Sequence, residues 1–151
     1  MTTPIGSIAL YQPEIAQNVG TIIRLAQCFD MSIDLIHPLG FIFSDAQLKR
    51  AGMDYVARAK IEHHQDFHDF TQKKKDRIVL FDTSGKTSLY DFRFRKTDIL
   101  LFGKESTGVP QSIMDACQEV VRIPINDRSL NLAVSAGIGA ASYRRQFRLE
   151  S

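Results

Sequence analysis

The sequence predicts one α/β domain, a mostly parallel β-sheet with helices on both faces. Short apolar runs of strand length alternate with segments in which apolar residues recur at helical spacing, and this alternation is typical of a parallel sheet. Two apolar runs, at residues 77–82 and 98–102, are the clearest buried strands. The 151 residues show no linker, repeat or low-complexity stretch, so residues 1–151 are expected to form a single domain.

The N-terminal half is expected to open with a strand, a helix and a second strand. Residues 7–11 form the first predicted strand, which Pro13 ends. Apolar residues at helical spacing predict a helix over residues 15–28, and residues 32–36 are strand-like again. Ser44 is a suitable N-cap for a helix that runs through Lys49 and ends near residue 52. A weakly patterned helix is predicted over residues 65–75.

The C-terminal half supplies the remaining strands. After the two buried runs, Pro110 is well placed in the first turn of a helix. Residues 120–125 are predicted to form a further strand and residues 131–147 a final helix.

Composition and charge exclude several classes of protein. The residues are 44% hydrophobic and 24% charged, as in soluble globular proteins. A net charge of +2 favours nucleic-acid binding only weakly. Cys28 and Cys117 lack CxxC spacing and are expected to be reduced, buried thiols. No apolar run approaches the ~20 residues of a membrane span and no leader pattern is visible, so a cytoplasmic protein without a membrane partner is expected.

Three polar segments follow predicted strands, at residues 83–86, 103–108 and 126–129. In open parallel sheets ligands bind outside the carboxyl ends of the strands. Glycine there lets a ligand approach the backbone, although strand-to-helix turns contain small polar residues in any case. Taken together, the three segments predict one shared pocket.

Familiar site motifs do not explain these segments. Lys104 is followed by Glu105 rather than Ser or Thr, and the first glycine of a P-loop is missing. A dinucleotide-binding G-x-G-x-x-G and a G-x-S-x-G elbow are also absent from the sequence. His63, His64 and His68 lack a third-ligand pattern, so we interpret them as a solvated helix face and expect no metal.

Three blocks of the sequence resemble the motifs of a known enzyme class. They are the N-x-x-x-x-x-R segment that ends at Arg24, LLFGKESTGVP, and RIPI followed by RSLNLAVSAGI. These blocks resemble the motifs of the knotted SPOUT-class, SpoU-type RNA 2′-O-methyltransferases. With YQPEIAQNVGTIIRLAQCF, HPLGFIFSD and LKRAGMDY, residues 8–146 are most similar to the tRNA (cytidine(34)-2′-O)-methyltransferases.

The resemblance implies a fold, a reaction and partners. The fold would carry a C-terminal trefoil knot, which is an exception to the near-absence of knots in proteins. The enzyme would use S-adenosylmethionine to methylate the ribose 2′-hydroxyl of the wobble nucleotide, C34 or a modified U34, in leucine tRNAs. It would work as a homodimer, bind the anticodon stem-loop and need no metal. Alternatives are 2′-O-methylation of another tRNA or rRNA position, or a catalytically silent RNA-binding knotted protein.

The resemblance also assigns site residues. The implied catalytic residues are Arg24 and Asn131. The implied cofactor-binding residues are Phe81, Thr83, Gly103, Glu105, Gly108, Ile123, Ser129 and Leu130. Candidates for RNA binding near the cleft are Asn18, Lys49, Arg50, Arg95 and Lys104.

Arg24 lies among apolar residues of the first predicted helix, an expensive position for a charge unless it faces a cleft or a partner. Because arginine stays protonated in proteins, we expect it to hold a phosphate or polarise the 2′-hydroxyl rather than accept a proton. The sequence departs from many relatives in two places, with Ala133-Val134 where a second motif asparagine is common and Ala141 where a tyrosine is common.

Overall fold

The computed structural model describes residues 5–44, 46 and 59–149. The strands within these residues are, in chain order, β1 (Ser7–Tyr11), β2 (Ser32–Ile36), β3 (Ile61–His64), β4 (Ile78–Phe81), β5 (Thr87–Ser88), β6 (Ile99–Phe102) and β7 (Glu119–Arg122). They form a single sheet in the order β3-β2-β1-β6-β4-β7-β5, and every pair is parallel. The α/β fold predicted from the sequence is therefore confirmed, whereas the trefoil knot stays a prediction.

Four α-helices of the described chain cover the sheet: α1 (Ala16–Cys28), α2 (Phe67–Lys73), α3 (Gln111–Ala116) and α4 (Leu132–Gln146). None of the helices in this part of the chain is both long and apolar enough to cross a membrane. Successive strand residues point to opposite faces of a sheet, and the core is accordingly divided in two. Ile8, Leu10 and Leu100 pack with α1 and α4 on one face. Ala9 and Leu101 pack with α2 and α3 on the other.

The helices α1 and α4 form one layer and are joined at the N-terminal end of the sheet. Arg144 of α4 donates hydrogen bonds to the carbonyl oxygens of Phe29 (2.7 Å) and Asp30 (3.0 Å), just beyond the end of α1. A Cβ atom on Gly139 of α4 would lie 3.0 Å from the Phe81 ring, so this glycine lets α4 pack directly on β4. The layer holds α1 and α4 in fixed positions over the strand ends.

Buried polar bonds close the N-terminal end of the sheet. Arg77 donates to both carboxylate oxygens of the fully buried Asp98, at 2.9 and 2.7 Å, and this interaction raises the pKa of Arg77. The Tyr143 hydroxyl accepts from the backbone N–H of Gly6 at 2.8 Å and donates to the Lys96 carbonyl. Burial raises the pKa of Tyr143. The start of β1, the start of β6 and the last helix are thus fixed to one another.

The histidine segment differs from its sequence-based interpretation. His63 and His64 lie on β3 rather than on a helix, and α2 begins only at Phe67. His64 is fully buried, with its Nε2 atom 2.8 Å from Asp34 Oδ1. The prediction of a solvated helix face holds for His68, which is exposed on α2, but it was wrong for His63 and His64, which lie on β3, where His64 gains a buried carboxylate partner.

Other boundaries differ by smaller amounts. The strand predicted over residues 120–125 is β7 (Glu119–Arg122), which ends before Pro124, a residue without an N–H for the sheet ladder. The short strands β3 and β5 were not predicted. Cys28 is exposed, contrary to expectation, whereas Cys117 is partly buried. The helix predicted from Ser44 through Lys49 to near residue 52 lies mostly outside the described residues, which include only residues 44 and 46 of it.

Candidate functional site

The three polar segments meet at the carboxyl end of the sheet and surround a pocket of about 430 Å³. They follow β4, β6 and β7, which lie side by side in the sheet. The first residues of α1 and α4 complete the wall. The shared pocket predicted from the strand ends is confirmed, because neighbouring parallel strands end at the same edge of the sheet.

The loop after β6 owes its shape to two glycines. The backbone N–H of Lys104 donates to the Gly108 carbonyl at 3.2 Å, and the Gly108 N–H donates back to the Lys104 carbonyl at 2.9 Å. This tight closure requires a φ of +68° at Gly108, a conformation that favours glycine. A Cβ atom on Gly103 would lie 2.6 Å from the backbone of Gly108. The loop therefore presents bare backbone to the pocket.

Glu105 caps helix α1 from another part of the chain. The side chain at the N-cap position, Ile15, makes no capping bond, and the first turn of α1 contains no acidic residue. The Glu105 carboxylate accepts from the backbone N–H groups of Glu14 and Ile15, each at 2.9 Å, and from the Asn18 side-chain amide at 3.2 Å. A carboxylate at this position satisfies unpaired N–H groups and interacts favourably with the helix dipole.

A reciprocal bond joins the same two segments. The Glu14 carboxylate accepts from the backbone N–H of Ser106 at 2.8 Å. Hydrogen bonding to the side chain and then the backbone of Ser106 lowers the pKa of Glu14. The loop after β6 and the entry to α1 are thus linked by a carboxylate from each side.

Asn18 and Asn131 extend this link to the last helix. The Asn131 side-chain amide donates to Asn18 Oδ1 at 3.2 Å. The Asn131 oxygen accepts from the N–H groups of Ala133 (2.8 Å) and Val134 (3.2 Å), so Asn131 is the N-cap of α4. Glu105, Asn18 and Asn131, which we call the polar chain, connect the β6 loop, α1 and α4 along one wall of the pocket.

The structure brings most of the predicted site residues together. All eight residues predicted to bind a cofactor line the pocket: Phe81, Thr83, Gly103, Glu105, Gly108, Ile123, Ser129 and Leu130. Asn18, Lys104 and Asn131 line it as well. The sequence analysis missed Asp82, Ser106, Thr107, Ile125, Leu132 and Ser135, which also line it. Their positions next to predicted residues, or one helical turn beyond Asn131, were the available signal.

Two predicted basic residues, Arg24 and Arg95, are placed differently from the rest. Arg24 is exposed on the outer face of α1, along with Gln17 and Thr21, and does not line this pocket. Arg95 was expected near the cleft, but it lies just before β6, at the opposite end of the sheet, where its backbone N–H donates to Asp98. That expectation was wrong because Arg95 precedes the strand predicted over residues 98–102, and in a parallel sheet the residues before a strand lie at the end away from the pocket.

The remaining RNA-binding candidates, Lys49 and Arg50, lie outside the described residues. No structural statement follows for either.

A second group of polar side chains lies away from the pocket, on β2 and β3. Ligand atoms of Asp34, Glu62 and His64 lie within 4.8 Å of one another. The Lys74 ammonium is 3.0 Å from Glu62 and 3.8 Å from Asp34. Because the ammonium lies near both carboxylates and His64 bonds to Asp34, the group is explained by its internal polar contacts.

Comparison with known proteins identifies chains of similar sequence and fold. The model of the SpoU rRNA methylase family matches residues 6–141. A tRNA (cytidine(34)-2′-O)-methyltransferase of Ancylobacter novellus is 39% identical over 145 residues, which is 93% of this chain and 92% of the relative.

Two solved structures extend the comparison. One, from work on the 2-OH methylation of C/U34 on tRNA, superposes with a TM-score of 0.88 at 40% identity, covering 96% of this chain and 98% of the other. The other, an AdoMet-bound rRNA methyltransferase from Sinorhizobium meliloti, has a TM-score of 0.86 at 28% identity, covering 99% of this chain and 59% of the other.

Proposed function

Because this chain belongs to the SpoU rRNA methylase family, we propose that it methylates the ribose 2′-hydroxyl of the wobble nucleotide, C34 or a modified U34, in leucine tRNAs of the cytoplasm. The protein is a methyltransferase that uses S-adenosylmethionine, and its reaction is 2′-O-methylation of tRNA nucleotide 34. The observation that best supports the proposal is the convergence of eight motif-derived residues on one pocket at the strand ends.

The residues of the pocket fit S-adenosylmethionine. Ile123, Ile125 and Leu130 provide apolar surface, and Gly103 and Gly108 allow the tight loop that brings backbone groups to the pocket wall. Backbone N–H and C=O groups of such loops can hydrogen-bond the edge of an adenine. The bound sulfonium supplies an electrophilic methyl group. Positioning the ribose hydroxyl in line with that group accounts for much of the expected rate enhancement.

We assign the polar chain the task of holding the pocket in shape. Glu105 fixes the start of α1, and Asn131 fixes the start of α4. Residues at the starts of both helices line the pocket, and hydrogen bonds fix the positions of their side chains. Asn131, which caps α4 and lines the pocket, keeps its proposed catalytic role.

The outer faces of α1 and α4 support a homodimer. On α4, Val134 is 50% exposed and Ala141 is exposed, and on the α1 side Ile15 is 47% exposed. A second copy of the chain seated on this surface would cover apolar area that a monomer leaves in water. It would also place Arg24 in the interface, from where the guanidinium could hold an RNA phosphate or polarise the ribose hydroxyl.

The experiment that tests the function uses the full chain and labelled S-adenosylmethionine. Total tRNA from a strain lacking the gene is the substrate, and the labelled nucleotide is mapped. We expect label at the 2′-oxygen of nucleotide 34 in leucine tRNAs. Label at another tRNA or rRNA position would replace this substrate assignment. No transfer to any RNA, together with no cofactor binding by calorimetry, would indicate the silent RNA-binding alternative.

The proposed role of Arg24 is tested by Arg24→Ala. Turnover should fall below about 1% of wild type while S-adenosylmethionine affinity stays within two-fold, because Arg24 lies outside the pocket. Arg148→Ala, at another exposed arginine, is the matched control and should keep normal turnover. Unchanged turnover of Arg24→Ala would remove its assigned role.

A further inference from the structure

A second cleft lies next to the cofactor pocket, on the side of β5 and β7. Its volume is about 590 Å³, and Tyr90, Arg122 and Arg128 contribute to its walls. Thr83, Ile123 and Ile125 line both cavities, so the two are separated only by the segment that follows β7. A molecule lying in this second cleft would border directly on the methyl-donor site.

The aromatic residue of the cleft is exposed to an unusual degree. Tyr90 is 74% exposed, on the 3₁₀ turn (Leu89–Asp91) that follows β5. In the described part of the chain its hydroxyl has no hydrogen-bond partner and its ring contacts no other aromatic ring. An aromatic ring that is mostly exposed to water contributes little packing to the core, but it offers a flat surface for stacking.

The two arginines differ in how firmly they are held. The Nη1 atom of Arg122 donates to the carbonyl oxygens of Gly85 (3.1 Å) and Lys86 (2.8 Å), which fixes the guanidinium at the edge of the cleft. Its other nitrogens form no hydrogen bond to the described residues. Arg128 is exposed, and its side chain has no ion pair within residues 5–44, 46 and 59–149. One acidic residue, Asp127, also lines the cleft, and its carboxylate accepts from the Arg128 backbone.

The position of the second cleft beside the cofactor pocket matters because the proposed substrate is an RNA chain. If the pocket methylates one ribose of an RNA chain, the adjoining nucleotides must continue across the surface beside it. The wobble nucleotide lies in the single-stranded anticodon loop, and proteins bind unstacked RNA by stacking bases on aromatic side chains and pairing phosphates with arginine. The second cleft presents both kinds of group together.

Building on the proposed function, we propose that the second cleft binds a nucleotide adjoining the methylated one in the anticodon loop. Tyr90 stacks on its base, and Arg122 and Arg128 pair with its phosphate. Binding there aligns the RNA so that the neighbouring ribose enters the cofactor pocket.

The test measures binding of an anticodon stem-loop oligonucleotide by fluorescence anisotropy, and of S-adenosylmethionine by calorimetry. Tyr90→Ala should weaken RNA binding about ten-fold, whereas Tyr90→Phe should stay within two-fold because stacking needs only the ring. Both variants should keep the wild-type affinity for S-adenosylmethionine. Circular dichroism should confirm the wild-type fold, since Tyr90 is exposed.

A charge series sharpens the test. Arg128→Ala should weaken RNA binding and reduce the salt dependence of log K by about 0.7, the value for one phosphate contact on a single strand. Lys75→Ala, an exposed cation before β4, is the control and should leave RNA affinity unchanged.

Two results would overturn the inference. If Tyr90→Ala binds RNA as tightly as wild type while the wild type methylates nucleotide 34, the cleft is not the RNA site and the proposed function stands. If Tyr90→Ala and Arg128→Ala instead weaken S-adenosylmethionine binding, the cleft belongs to the cofactor site. Failure of the wild type to methylate any tRNA would contradict the proposed function itself.

Discussion

The two ends of the parallel sheet use polar side chains in opposite ways. At the N-terminal end, Arg77 bonds to Asp98, and Tyr143 bonds to the backbone of Gly6 and Lys96; none of these three side chains lines the pocket at the carboxyl end. At the carboxyl end, Glu105 and Asn131 are equally well bonded, yet their bonds surround a pocket of about 430 Å³. One end fixes the chain, and the other holds separate segments apart so that a ligand can enter between them.

The largest expected effect is at the N-terminal end. Arg77→Ala leaves the fully buried Asp98 carboxylate without its ion pair, and we expect a loss of about 3 kcal/mol in the free energy of unfolding. Guanidinium unfolding measures this loss. The S-adenosylmethionine affinity of the folded variant should not change, because the site is at the other end.

Arg93→Ala is the matched control for that variant. The Arg93 side chain is exposed, and its backbone carbonyl accepts a hydrogen bond from Arg77. Its unfolding free energy should stay within about 0.5 kcal/mol of wild type. A similar loss in both variants would show that the Asp98 ion pair does not fix this end of the sheet.

A smaller effect on stability, with an effect on binding, is expected at the pocket end. Glu105→Gln replaces one acceptor oxygen with a donor amide facing the N–H groups of α1, so we expect a loss of about 1 kcal/mol in unfolding free energy. Because the same loop lines the pocket, S-adenosylmethionine affinity should fall by about five-fold or more in calorimetry.

Asp91→Asn serves as the charge control for Glu105→Gln, since Asp91 is exposed and does not line the pocket. Neither its stability nor its cofactor affinity should differ from wild type. If Glu105→Gln behaved in the same way as this control, the cap on α1 would have no part in shaping the pocket.

The smallest effect concerns two thiols and no change in fold. Burial raises the pKa of the Cys117 thiol to about 12, just before β7 at the closed end of the sheet. At pH 8 Cys117 therefore holds about a thousand-fold less reactive thiolate than a thiol of ordinary pKa, and its thiolate fraction grows only as the pH rises towards 12. Cys28 is exposed.

Iodoacetamide at pH 8, followed by mass spectrometry, checks this difference. Cys28 should be modified at least ~100-fold faster than Cys117 in the folded protein, and the two should react alike after unfolding. Equal rates in the folded protein would mean that the closed end opens readily to solvent.

Local patterns were enough to predict the pocket but not its internal bonds. Apolar runs located β4 and β6, and the rule for parallel strand ends then brought the following loops together. The bonds from Glu105 to Glu14 and Ile15 join segments far apart in the sequence, and no local pattern marks such a partner. The error at Arg95 had a different cause, because its position before the predicted strand already indicated the end of the sheet away from the pocket.

The missed strands had weak signals for physical reasons. β3 is the four-residue edge strand Ile61–His64, with two exposed positions and two histidines, and this composition lacks the apolar alternation of a buried strand. β5 has two residues and exists because it pairs with β7. Arg24 was singled out as an unusual charge on the first helix, and the structure shows it exposed, which depends on how α1 packs against the sheet.

The strand order also has a consequence during synthesis. β1 lies between β2 and β6, and its register pairs Ser7 with both Ser32 and Ile99. At typical elongation rates of about 5–20 residues per second, one edge of β1 therefore waits on the order of ten seconds for the ribosome to deliver its second neighbour. Ile8 and Leu10 have no final packing during that interval, although they are fully buried in the finished fold. The newly made N-terminal half thus exposes a strand edge with unpaired N–H and C=O groups. Chaperones that bind such edges would act on it before the methyl-donor pocket has formed.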